Sequence, residues 1–439
     1  MTAKYRPWVF ALAVVMAACS PQAVVPSPSP SPTARPTATT SLTALLPAKV
    51  EFVRRWHLVP GPLRVDFHDE NVHVTVTFAG DPSEGAPRAR LRTTGQDIPL
   101  ERTGPLTYLG TVDPAGIAPG EQPVDAFVLV RGQGYVLAGS GTFLLSQPEY
   151  VVWTLDFEGD ASGDAELANT AAIADGLKIP MAVFWNPRVW TTSQVSPERQ
   201  DAMLKWTKER SVRGDEVALH LHMWTDYVRA AGLVPKTVPS WAGRGDGYDV
   251  PITAYSEAEQ KTLIDYGLKL MAEHGLPTPT SFRAGGDMAD ATTLRAVSAA
   301  GFDLDCTAVA KDYPSIGRIP YPWNLPVGAQ PYRPSRTDAN VLGDLPLLEA
   351  PTIGGNTYAF TASSIQPQIS ANLALFAPAG KVAAERRAIT VVSHPGTVVP
   401  AERAAIEALL GAFDALRYDK DSGPVRFVTT AQLAKAYGR

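Results

Sequence analysis

Between residues 50 and 146, apolar and polar positions alternate with a period of two, in runs such as LRVDFH, NVHVTVTFAG, VDAFVLVRG and YVLAGSGTFLL broken by Gly, Pro and Asp. That period puts successive side chains on opposite faces of an extended chain, so each run predicts a strand with one buried face. The spacing of the breaks predicts an antiparallel β-sandwich of immunoglobulin-like or fibronectin-like type. After Gln147 and Pro148 the period changes. Short apolar runs (VVWTLDF, MAVFWN, VALHLH, TSFRAG, FDLDCT, LLEAPTI, ITVVSH, VRFVT) alternate with helical stretches, the pattern of a parallel sheet with crossover helices. Ser196 followed by Pro197 marks one helix start. Ser256, with Glu259 three residues on, predicts a capping box for a helix ending near His274 and Gly275. About eight strands over residues 149–439 fit a (β/α) barrel, with a doubly wound open sheet as the other arrangement.

Ahead of the sandwich the pattern is of another kind. Lys4 and Arg6 precede an apolar run over residues 8–18, too short for a ~30 Å hydrocarbon core but suited to a signal peptide. The run closes on Met16, Ala17, Ala18 and Cys19, and small residues before a lone Cys resemble the bacterial lipobox, whose Cys is lipidated and becomes N-terminal. Residues 1–18 are therefore expected to be a lipoprotein signal peptide and Cys19 the lipidation site, with an ordinary secretory signal as the alternative. Residues 19–48 interleave Pro with Ser, Thr and Ala; such a linker builds no core and extends at ~3.1 Å per residue. The expected location is that of an exported, membrane-anchored lipoprotein facing the cell envelope or exterior.

Composition narrows the chemistry. Lys and Arg total 39 against 44 acids in 439 residues, a net charge of -5, so no basic field is available to hold nucleic acid. Two cysteines, Cys19 and Cys306, exclude a disulfide scaffold. Only 19% of residues are charged, which makes ionisable groups at the ends of apolar runs conspicuous: Asp156, Glu158 and Asp160, then His220 and His222, Arg283, Asp303 and Asp305, and His394. In a barrel those C-terminal strand ends carry the chemistry. His220 and His222 are two apart, so on a strand both imidazoles share a face and Leu219 and Leu221 take the other. Two imidazoles and one carboxylate leave a tetrahedral zinc with one position open to water, as in hydrolytic sites, although a hydrogen-bonded structural pair has the same spacing. Asp156 and Glu158 share a face by the same rule, so one serves as base and the other as ligand; a solvated acidic turn is the bland alternative. His57, His68 and His73 are dispersed and are assigned no chemistry. His274 is read as a helix cap.

The motifs TLDFEGD, GDEVALHLHMW, SFRAGGD, GFDLDCT and VVSHPG occur in the order and approximate spacing of the polysaccharide deacetylase family, carbohydrate esterase family 4 with its NodB-like homology domain. The chain resembles a divergent HxH branch of that family over residues 149–439. The resemblance implies a distorted (β/α) barrel, a Zn2+ or another divalent metal, and hydrolysis of N-acetyl groups on a glycan substrate. It implies Asp156 as base, Arg283 as the arginine that orients it, His394 as general acid with Val392 beside it, and His220 with His222 as ligands. Asp305 matches the fourth motif. Phe157 follows Asp156 where a second aspartate is common, so the acidic ligand is Glu158 or Asp160, with Glu158 favoured because it shares the face of Asp156. Gly286 and Asp287 stand where an Arg and an aromatic residue are common in that branch. Trp224 and Trp323 are candidate platforms for sugar rings, and residues 226–249 and 320–336 candidate rims. These departures motivate the competing expectation, a catalytically weak or inactive surface-anchored glycan-binding lipoprotein.

Overall fold

In the computed structural model the described residues are 47–62, 71–82, 85–241, 243–247, 250–314 and 319–439. The leader, Cys19, most of the linker, and the run LRVDFH with His68 lie outside them.

The alternating runs form strands β1 (Ala48–Phe52), β2 (Trp56–Leu58), β3 (Val72–Phe78), β4 (Arg88–Leu91), β5 (Gln96–Ile98), β6 (Leu100–Arg102), β7 (Thr107–Val112), β8 (Gly120–Val130) and β9 (Gly134–Ser146). They make two sheets, ordered β1-β3-β7-β6 and β2-β9-β8-β4-β5, antiparallel throughout except where β2 runs parallel to β9. The period of two explains their packing: Val72, Val74, Val76 and Phe78 of one sheet meet Val124, Ala126 and Val128 of the other in a shared core, while His73 faces solvent. His57 is buried, its Nε2 3.2 Å from the Arg54 carbonyl.

The second region contains β10 (Glu149–Asp156), α1 (Asp164–Leu177), β11 (Ala182–Trp185), α2 (Pro197–Val212), β12 (Glu216–Leu221), α3 (Thr225–Ala230), α4 (Glu257–Glu273), β13 (Ser281–Ala284), α5 (Ala291–Ala299), β14 (Leu304–Asp305), β15 (Leu348–Glu349), β16 (Gly355–Asn356), α6 (Gln366–Ala374), β17 (Arg387–Ser393), α7 (Pro400–Gly411), β18 (Val425–Phe427) and α8 (Thr430–Ala436). Ser196 caps α2, and Ser256 with Glu259 closes a capping box on α4. The strands form one parallel sheet ordered β15-β14-β13-β12-β11-β10-β17-β16, with β18 against the start of β10. Its two edge strands are joined by residues 350–354, a reach of under about 20 Å. That segment donates hydrogen bonds to one edge, from Ala350 to the Asp305 carbonyl and from Thr352 to the Ala308 carbonyl, and then to the other, from Gly354 to the Thr390 carbonyl. The sheet is therefore curled into a distorted barrel and is not an open doubly wound layer.

The period of two sorts every barrel strand into an outer and a lumenal face. Val151, Trp153, Leu155 and Phe157 of β10 and the turn after it, with Val217, Leu219 and Leu221 of β12, pack outward against the helices. Tyr150, Val152, Phe184, Ala218, Leu304, Cys306 and Leu348 fill the lumen, and Leu433, Ala434 and Ala436 of α8 plug its lower end. The next lumenal positions upward are Thr154 and Asp156 on β10 and His220 on β12, with Glu158 and His222 continuing the same period just past the ends of those strands, so the polar groups lie at the C-terminal end of an apolar plug.

The sandwich is fixed to the barrel. The Asp421 carboxylate accepts from the backbone N–H of Arg55 and of Trp56, each at 2.8 Å. Trp56, Leu58, Leu144 and Tyr418 form a small apolar cluster at the junction, and Ala383 N–H donates to Ser146 Oγ at 2.8 Å.

Candidate metal centre and active site

Arg283 is 1% exposed and organises the lumen. It donates to the Cys306 carbonyl (2.9 Å), Thr154 Oγ1 (2.7 Å), Asp156 Oδ1 (2.9 Å) and Thr352 Oγ1 (2.9 Å). Its four partners come from three separate stretches of chain. A buried guanidinium with that many acceptors is held in one orientation, and with it the carboxylate of Asp156.

The carbonyl of Arg283 also sets the state of a histidine. It lies 3.1 Å from His220 Nδ1, and since a carbonyl only accepts, Nδ1 carries the proton and Nε2 presents its lone pair. That Nε2 is buried with no hydrogen-bond partner and lies 3.8 Å from Glu158 Oε1. His222 Nε2 is 2.7 Å from Glu158 Oε2. Glu158, His220 and His222 offer ligand atoms that all fall within 4.8 Å of one another, the one such grouping found among the described residues. An imidazole nitrogen aimed at a carboxylate calls for a proton or a metal cation between them, and two His with one carboxylate make an N/O donor set that fits a divalent metal such as zinc. Burial pushes the Glu158 carboxyl up, but the imidazoles of His222 and His220 override it and hold the group well below the usual carboxylate range. Burial lowers the His220 imidazole, and the carboxylates of Asp156 and Glu158 more than reverse that. The two shifts express one mutual attraction, between the imidazoles and the carboxylates that face them.

His394, the residue after β17, brings Nε2 to 3.3 Å from Glu158 Oε1, the oxygen that His220 Nε2 also faces. Gly285, in the turn after β13, lies under the His222 ring; a Cβ there would meet Nδ1 at 2.3 Å. Gly286 and Asp287 follow with left-handed φ of 66° and 57°, and Trp323 Nε1 donates to the Asp287 carbonyl at 2.8 Å. Burial raises the Asp287 carboxyl to about 7 against the lowering charge of Arg283, with Asp156 adding to the rise. Trp241, from the loop after α3, lies over Gly286, 4.0 Å from where a Cβ on that glycine would stand. Between Trp241, His222, Met223, Ile252 and Met288 is a cavity of about 20 Å³, room for one water- or methyl-sized group.

The structure thus brings together Asp156, Arg283, Glu158, His220, His222 and His394. Asp160 is turned away, paired with Arg188 at 2.5 Å, so Glu158 is the carboxylate among the imidazoles. Asp305 is on the outer face, because its neighbours Leu304 and Cys306 take the lumenal one. It pairs with Glu349 on the adjacent strand and accepts from Thr307 Oγ1 at 2.8 Å. Burial raises both carboxyls, and the charge of Asp305 drives Glu349 well above the usual range. Trp323 is only 5% exposed. One face of Trp224 is covered by the Arg188 guanidinium, 3.7 Å from its ring. Sequence reasoning passed over Arg188, which ties together the loops after β10 and β11 and the start of α3 through the Gly159 carbonyl, Asp160, Gln194 and Asp226; the signal was a lone arginine between Pro187 and Val189 directly after an apolar strand. It also passed over Thr154 and Thr352, whose role is visible only once Arg283 is seen to bind both.

No family model matches the chain, and no curated protein matches it. Solved structures similar to it include a protein of Mycobacterium smegmatis assigned as a polysaccharide deacetylase, at 14% identity over 66% of this chain and 89% of that one with a TM-score of 0.42. A family 4 carbohydrate esterase of Streptomyces lividans, in complex with acetate, is 10% identical over 65% of this chain and 92% of its own, with a TM-score of 0.33. The peptidoglycan deacetylase PdaC of Bacillus subtilis is 10% identical over 66% and 91%, with a TM-score of 0.30. At identities this low, the neighbours do not assign a substrate to this chain.

Proposed function

We propose that the protein is a metal-dependent hydrolase that removes N-acetyl groups from a cell-surface or extracellular glycan, with Zn2+ or another divalent ion as cofactor. The observation that carries this reading is the buried Nε2 of His220, turned by the Arg283 carbonyl toward Glu158 and met by no donor. A divalent cation held by Glu158, His220 and His222 supplies Lewis acidity to a water and to the amide carbonyl. Asp156 takes the proton from the attacking water, and Arg283 keeps its carboxylate aimed into the lumen at 2.9 Å. His394, across Glu158, hands a proton to the departing amine nitrogen. The acetamide and one water become acetate and a free amino sugar. The small cavity of about 20 Å³ beside His222 supports an acetyl group over a longer acyl chain. Cys19 as a lipid anchor, residues 19–48 as a spacer and residues 50–146 as an immunoglobulin-like module complete the proposal and would hold the barrel away from a membrane surface.

The test is zinc content and acetate release by the purified chain on N-acetylated chito-oligosaccharides and peptidoglycan. About one zinc per chain is expected, together with acetate release, and both vanish in the His220→Ala, His222→Ala double variant while its circular dichroism is unchanged. Zinc kept at full stoichiometry in the double variant refutes the site. Zinc bound normally with no acetate from any glycan points to the glycan-binding alternative.

A further inference from the structure

We propose that Tyr358 is the platform on which the sugar ring carrying the leaving amine packs, an inference that rests on the glycan reading above. Among the described aromatic residues of 149–439, Tyr358 alone is exposed, at 60%. Its ring stands edge-on to the acid candidate His394, with centroids 6.3 Å apart and planes at 84°. The platform therefore borders the side of the site from which the amine leaves.

An exposed aromatic ring on a loose turn would have no defined role, but this turn is fastened at several points. Asn356 Oδ1 accepts from Tyr358 N–H at 2.8 Å. The neighbouring Thr357 is buried; its N–H donates to the Val392 carbonyl at 3.0 Å, and its hydroxyl is 2.7 Å from Ser393 Oγ and 3.1 Å from Glu402 Oε1. Phe360 N–H donates back to the Thr357 carbonyl at 3.2 Å. Ala359 holds a left-handed φ of 61°, which for a residue with a Cβ costs about 1 kcal/mol. A surface tyrosine is thereby presented rigidly, one strand register from His394. Pyranose rings carry C–H groups on their faces that pack against an aromatic face, so a fixed, solvated tyrosine at this rim is suited to that contact. The two tryptophans that the sequence offered do not compete for it: Trp224 is stacked under Arg188 and Trp323 is buried.

The experiment measures tetra-N-acetylchitotetraose binding by calorimetry in the zinc-loaded Asp156→Asn background, and turnover in the otherwise native protein. Tyr358→Ala should weaken binding by about tenfold and raise KM with kcat little changed, while Tyr358→Phe keeps both. Hydrolysis of 4-nitrophenyl acetate, which has no sugar ring, should be equal in all three proteins. If Tyr358→Ala matches the native Kd and KM to within about twofold while native protein releases acetate, the platform is refuted and the enzymatic reading stands. If native protein binds the oligosaccharide through Tyr358 yet releases no acetate from any glycan, the enzymatic reading falls and the platform stands. A native protein that neither binds nor cleaves the oligosaccharide refutes both.

Discussion

The tightest approach of backbone to a candidate ligand is at Gly285, and it yields a sharp prediction. A Cβ on Gly285 would stand 2.3 Å from Nδ1, 2.4 Å from Cγ and 2.5 Å from Cε1 of His222. Unbonded carbon atoms settle at about 3.5–4.0 Å, so the imidazole must retreat by roughly 1 Å. Metal–ligand distances tolerate only about ±0.2 Å, so a shift of that size takes His222 out of the ligand set or strains it there. The expected loss in zinc affinity is about 10- to 100-fold, the range seen when the support of a metal-binding histidine is disturbed. The backbone at Gly285 is not in the left-handed region, so alanine itself is conformationally acceptable there and the effect is steric. Gly286→Ala is the paired control. Gly286 has φ 66°, and its Cβ would find nothing closer than Met288 Cγ at 3.9 Å. That variant should therefore lose about 1–2 kcal/mol of stability and keep its zinc. Competition with a chromophoric chelator at pH 7 measures the affinities, and urea unfolding the stabilities. Native zinc affinity in Gly285→Ala, or a larger zinc loss in Gly286→Ala than in Gly285→Ala, would refute the assignment of His222 to a metal shell supported by Gly285.

Two further outcomes follow from buried charges away from the ligands. Glu149, 1% exposed at the start of β10, accepts from Ala377 N–H at 2.7 Å, and burial raises its carboxyl from 4.5 to about 7. Between those two values the folded chain holds a proton that the unfolded chain has lost, so stability falls as pH rises through that window, by about 3 kcal/mol in all. Glu149→Gln should flatten this slope and be the more stable protein at pH 8, as read from urea midpoints at pH 5 and 8; an unchanged slope would rule Glu149 out as its source. Arg188→Met should cost about 2 kcal/mol, less than for a fully buried pair because Asp160 is 52% exposed and regains water. Zinc content should stay native in that variant, and a zinc loss equal to that of the histidine double variant would place Arg188 in the metal support instead.

What the sequence made legible is what a period of two controls. His220 with His222, and Asp156 with Glu158, share the lumenal face because each pair is two residues apart where an extended strand with an apolar outer face runs out into its turn. The helix starts at Ser196 and Ser256 were readable because an N-cap hydrogen bond is local. The two-residue strand β16 was not readable: Gly355 and Asn356 make no apolar run, and they are a strand only because β17 lies beside them. Asp305 was selected for its place in a motif, although the same period that unites the histidines turns it outward between Leu304 and Cys306. Exposure of aromatic side chains was the least legible feature. Trp224 and Trp323 stand in polar loops, yet Arg188 covers one and the Asp287 carbonyl ties down the other, contacts made across long stretches of chain.

The lumen also explains why these groups are useful where they are. Moving up β10 by steps of two, the side chains pass from Tyr150 and Val152 to Thr154 and Asp156, and just past the strand to Glu158, while the surroundings pass from dry packing to the open end of the barrel. At the deeper level Asp156 has Arg283 as a fixed counter-charge, so the base is a neutralised pair that adds little net field. At the upper level Glu158 lies among the imidazoles of His220, His222 and His394, the first of them oriented by the Arg283 carbonyl at its Nδ1. On the proposed reading, a divalent cation held by Glu158, His220 and His222 would leave this layer net positive once the deeper pair has cancelled. Charge placed in advance where negative charge develops is worth most in a site walled by apolar residues, and here one arginine serves both layers, its side chain holding Asp156, the proposed base, and its carbonyl binding Nδ1 of His220, a proposed ligand.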